Sequence, residues 1–194
     1  MRVFLTVLIL IFSFQSWTKA DDISDFEIEG MSVGGSLLKF ANEKKIKSSI
    51  SKQKYSNDKF TIYEAEMLVE IIKYDYLTVT TKKNDKSNVI TNVSGSINYF
   101  ELDDCLKKKT LIQNEIEKII NFDAKEEVKY PAKQDKTGNS MIHGIQYYLK
   151  PYPSNEAILV HCYHFSTEFG SQRNLSIDVN SEEFAYFLIN EAHK

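Results

Sequence analysis

Between Tyr76 and Phe100 the chain alternates. Tyr76-Leu77-Thr78-Val79-Thr80-Thr81-Lys82 is rich in Thr and aromatic residues, and Asn84-Asp85-Lys86 supplies turn chemistry. Val89, Thr91, Val93, Ile97 and Tyr99 then share one side of a second run, with Asn92, Ser94, Ser96 and Asn98 on the other. Two alternating runs about a short polar turn predict an antiparallel hairpin with one wet face. At Leu102 the period changes. Leu102, Cys105, Leu106, Ile112, Ile116, Ile119 and Ile120 recur at three and four, and Asp103 and Asp104 stand where a helix dipole favours anions. The spacing predicts a helix over 102–121. Three further strands are expected at Met141 to Leu149, Ala157 to Phe165 and Leu175 to Val179, followed by a last helix capped by Ser181.

Upstream, Ser36 is a candidate N-cap for a short amphipathic helix ending near Ile46, and residues 47–59 read as a loop. Phe60 to Glu66 is a candidate strand, although Glu64 to Lys73 reads equally well as a helix. Residues 122–139 are polar, hold Pro131 and Gly138, and are expected to form a long loop. The order is α-βββ-α-βββ-α. It predicts an α+β fold with a mostly antiparallel sheet of about six strands and the helices on one face.

The N-terminus carries a different pattern. Arg2 precedes an uncharged apolar run from Val3 to Phe14, too short for the ~20 residues of a spanning helix. With Thr18 and Ala20 as the small residues before a cut, residues 1–20 read as a secretory signal, the alternative being an uncleaved anchor. Residues 21–194 then form a single domain. Of its charges, 22 are basic and 27 acidic, net −5, since residues 1–20 hold Arg2, Lys19 and no acid. Only Arg2 and Arg173 are arginines, which argues against a nucleic-acid partner. No later segment is apolar enough to span a bilayer, so a periplasmic or secreted address is expected.

In such a compartment the two cysteines, Cys105 and Cys162, favour a disulfide. Cys105 lies on the apolar stripe of its helix and Cys162 shares a strand face with Ile158 and Val160; two separate buried thiols are the rival reading. His161-Cys162-Tyr163-His164 is the chain's only histidine–cysteine cluster. Strand alternation points His161 and His164 to opposite sides, which makes it a poor metal site. No catalytic or cofactor-binding set is assigned. A candidate binding face is: Leu159, His161, Tyr163 and Phe165 share one side of their strand, and Met141, His143, Ile145, Tyr147 and Leu149 one side of the neighbouring strand. Tyr147, His161 and Tyr163 are its candidate residues.

Several short motifs recur together: Gly30-Met31-Ser32-Val33-Gly34-Gly35-Ser36-Leu37-Leu38, Tyr74-Asp75-Tyr76 before the hairpin, Ser94-Gly95 to Tyr99, Asp135-Lys136-Thr137-Gly138-Asn139-Ser140, Cys162-Tyr163, and Leu175-Ser176-Ile177. Through them the chain resembles a group of small exported proteins of marine alphaproteobacteria with AT-rich genomes. The resemblance brings no activity with it; it implies a periplasmic address and two structural cysteines. The expected function is a non-catalytic exported module that binds a protein or envelope component through its sheet face. The alternative is a small hydrolase or metal-dependent enzyme using the region of His161, Cys162 and His164.

Overall fold

The computed structural model describes residues 19, 21–132, 135–168 and 173–192. Apart from Lys19, the segment read as a secretory signal lies outside the described residues. Seven strands form one open sheet: β1 (Phe60–Glu64), β2 (Tyr76–Lys82), β3 (Ile90–Asn98), β4 (Ala124–Pro131), β5 (Met141–Tyr148), β6 (Ala157–His164) and β7 (Arg173–Asn180). Their order is β1-β2-β3-β7-β6-β5-β4, and every pairing is antiparallel. Among the described residues three α-helices accompany them: α1 (Glu43–Ser48), α2 (Leu102–Ile119) and α3 (Glu182–Asn190). The α+β class and antiparallel sheet expected from the alternating runs are what is found, with seven strands instead of six.

The extra strand is β4, in the stretch expected to be a loop. Its residues are exposed apart from half-buried Val128, so no apolar period marks it. It is an edge strand, and its lysines and terminal Pro131 discourage pairing with another chain. The opposite edge is covered differently. Residues 49–51 run along β1, with Ser51 N–H donating to Ile62 O and Glu64 N–H to Ser49 O.

The order of the strands explains the length of α2. Leaving β3 in mid-sheet, the chain must cross β7, β6 and β5 to reach β4, about 19 Å at ~4.8 Å per strand. An 18-residue helix spans about 27 Å and makes the crossing obliquely. On the way it buries Cys105 and Ile116 against the sheet, with Leu102, Leu106 and Ile112 half-buried beside them. Leu77, Val79, Val93, Ile145, Tyr147, Ile158, Val160, Leu175, Ile177 and Val179 form the sheet's side of this core, and Met31, Val33, Leu37 and Ile46 extend it.

The first expected helix is broken in two. Ser36 does cap a turn, at Leu37–Lys39, but the Asn42 side chain then accepts from Lys45 N–H at 3.0 Å and starts α1 afresh. At the C-terminus Ser181 accepts from Phe184 N–H, as its N-cap role requires. Here the expectation of helices on one face fails. Phe184 and Phe187 of α3 pack on Phe60 and Tyr55, and Phe60 lies on the same side of β1 as Ile62, which is across from Thr80, away from α2. Thus α2 and residues 23–46 cover one face, and α3 flanks the other.

Candidate functional site

On the face away from α2, the strand registers stack polar side chains into rows. Thr80, Asn92 and Asn180 face one another across β2, β3 and β7. The next row runs Thr78, Ser94, Asp178, Leu159 and Gln146, and the one after it places Ser176 beside His161 and Gly144. Each strand supplies these residues because alternate positions point to alternate faces. Tyr55 and α3 rise at one end of the rows and Tyr130 and Tyr163 at the other. They flank an open cleft of about 490 Å³.

The floor is tightly wired. Thr80 Oγ1 donates to Asn92 Oδ1 at 3.3 Å, and Asn92 Nδ2 donates to Asn180 Oδ1 at 2.8 Å. Asp178 accepts from the hydroxyls of both Ser94 and Ser176, the second at 2.8 Å. Tyr148 O–H donates to Gln146 Oε1 at 2.7 Å, which turns the Gln146 amide N–H toward His161 Nε2, 3.4 Å away. That orientation assigns the ring proton to Nδ1, which faces the Tyr163 hydroxyl at 3.5 Å. The imidazole fits only because its cross-strand neighbour is glycine. A Cβ on Gly144 would stand 2.0 Å from His161 Cδ2.

Burial sets the charge of the cleft. It pushes His161 below its ordinary value, with Asp178 opposing and Lys109 adding. Burial likewise raises the Tyr55 hydroxyl to about 12, with Asp178 adding and the neighbouring Thr80 side chain opposing. The Tyr163 hydroxyl is raised further for the same leading reason. A neutral imidazole and protonated phenols therefore surround Asp178, which among the described residues is the one carboxylate lining the cleft, and no described Lys or Arg lines it.

The three candidate binding residues are not brought together. His161 and Tyr163 stand in the cleft, His161 only 3% exposed and Tyr163 half-buried. Tyr147 lies on the other face, across from Ile158, and is fully buried with its hydroxyl donating to Glu117 Oε1 at 3.1 Å. The cause is register: Ile145 of β5 pairs with Val160 of β6, so odd positions of one strand share a face with even positions of the other. His143 and His164 also lie on the α2 face, opposite to His161.

Cys162 meets Cys105 there, with 2.11 Å between sulfurs and 6.0 Å between Cα atoms. The region of His161, Cys162 and His164 is thus divided between two sides of the sheet, with its thiol occupied. Nor do Ser176, His161 and Asp178 form a nucleophile relay, because Ser176 donates to the carboxylate and His161 Nε2 is engaged by Gln146. Sequence reasoning missed Asp178, Asn180, Tyr55 and Phe184. A signal existed for the first two: Asn174, Ser176, Asp178 and Asn180 alternate with Leu175, Ile177 and Val179, matching the polar side of β3.

Compared with protein-family models, curated proteins and solved structures, the chain matches none. Among the described residues no helix is long and apolar enough to cross a membrane.

Proposed function

We propose that the chain is an exported, non-catalytic binding module whose ligand seat is the cleft on the sheet face away from α2. The expected partner, a protein or envelope component, narrows to a small molecule or a small group of a larger one. The observation that carries this reading is the cleft's construction. Thr80, Asn92, His161, Ser176 and Asn180 are all 5% exposed or less, yet all are polar and wired to cleft neighbours or cross-strand to one another. A sheet needing only stability would bury apolar side chains there, since each buried polar group must be matched with a partner. The cleft's volume lies within the ~300–1,000 Å³ of small-ligand sites. Export rests on residues 1–20 and on the cysteine pair, which suits an oxidising compartment. The mature product of a secreting host should therefore begin at Asp21 by intact mass.

A thermal-shift screen of small molecules tests the seat. Thr78 is a half-buried floor residue on β2, and Thr78→Phe fills the cleft with a residue that strands tolerate. Compounds that bind should raise the melting temperature of the wild type and leave that of Thr78→Phe unchanged. Compounds that stabilise both proteins equally would place the seat elsewhere.

A further inference from the structure

We infer that the cleft takes a small organic ammonium ion, held by the Asp178 carboxylate among aromatic walls; this rests on reading the cleft as the ligand seat. Three observations carry it. The first is the direction in which the floor's hydrogen bonds are spent. Ser94 and Ser176 both give their protons to Asp178, and Thr80 gives its proton to Asn92. A neutral polyol needs free donors as well as acceptors, whereas around Asp178 the serine donors are consumed. A carboxylate has roughly four lone-pair positions, so two remain for an incoming donor.

The second is charge. Asp178 makes no ion pair with any described residue, and among the described residues no Lys or Arg lines the cleft. An anionic ligand would meet this carboxylate in a half-buried setting, where repulsion is screened less than at the surface. A single cation would balance it. The third is the lining. Tyr55, Tyr130, Tyr163 and Phe184 all border the cleft. Aromatic rings attract ammonium groups within ~6 Å of their centres, and quaternary ammonium ions are held in aromatic enclosures of this composition.

The test uses the mature chain and calorimetric titration with choline and n-propylammonium. Their controls are 3,3-dimethylbutan-1-ol, which has the shape of choline without its charge, and glucose and inorganic phosphate. At least one ammonium compound should bind, and the uncharged isostere of choline should bind at least tenfold more weakly than choline. Asp178→Asn, which keeps an acceptor for the serines, should weaken ammonium binding at least tenfold. The isostere comparison decides the matter without any variant, should Asp178→Asn fold poorly. Equal binding of the isostere, or no binding by either ammonium compound, overturns the inference. If glucose, phosphate or another compound binds instead and is lost in Thr78→Phe, the seat stands and its ligand class is wrong. If no compound's binding is lost in Thr78→Phe, the seat itself is wrong.

Discussion

Replacing both Cys105 and Cys162 by alanine should lower the stability of the domain by about 4 kcal/mol. The bond joins the first turn of α2 to the middle of β6, across a sequence separation of 57 that contains β4, β5 and both of their turns. In the chain-entropy account, closing a loop of that length restricts the unfolded chain by about 14 cal/mol/K, which at room temperature gives the figure above. Alanine is the better replacement. Both cysteines are buried, at 3% and 0% exposure, and serine would leave two hydroxyls there without water. Against the ~5–15 kcal/mol of a typical domain the loss is large. At roughly 2–4 °C per kcal/mol for a chain of this size, the melting temperature should fall by roughly 8–16 °C. Thermal unfolding followed by circular dichroism reads the change. Thiol labelling of unfolded, unreduced wild type should find no free thiol. A fall of less than about 2 °C, well under that range, or two reactive thiols per chain, would refute the reasoning.

Gly144→Ala should cost about 1–3 kcal/mol in urea unfolding, because its methyl displaces the His161 ring. The cost should largely vanish in a His161→Ala background, and an undiminished cost there would place the strain elsewhere. Tyr147→Ala should destabilise by about 3–5 kcal/mol as a core truncation without changing ligand affinity, whereas Tyr163→Leu should weaken binding measured by the same titration. The folded-state value of His161 lies below the ~6.5 of an unfolded histidine, so between the two the unfolded chain binds more protons. Stability should therefore fall as pH drops below about 6.5, and His161→Gln should flatten that decline, leaving the contribution of His143. An identical slope in wild type and variant would remove His161 from the account.

The parts of the fold legible in the sequence are those where one face alone is buried. Leu77, Val79, Val93 and Ile97 alternate with hydroxyls and amides, and the β2–β3 hairpin follows; the stripe from Leu102 to Ile120 defines α2 equally well. β4 is invisible because an edge strand wet on both sides has no apolar period to display. α3 is legible as a helix, but which side of the sheet it joins depends on where Tyr55 and Phe60 come to rest. The cleft was half readable. His161 and Tyr163 stand out as aromatic strand residues, but grouping them with Tyr147 requires the β5–β6 register, and a one-residue change in it exchanges the faces. That register is fixed by the length of the turn joining Tyr148 to Ala157, which the apolar pattern does not encode.

The central claim is that ligand is held on the polar face of the sheet, and amide shift mapping tests it most directly. A compound from the thermal-shift screen, titrated to saturation into ¹⁵N-labelled protein, should move the amide signals of Thr80, Ser94, His161 and Asp178, together with the side-chain amides of Asn92 and Gln146. The signals of Glu117 and Tyr147 on the α2 face should stay in place. Shifts concentrated around Glu117 and Tyr147, with the cleft unmoved, would contradict the account.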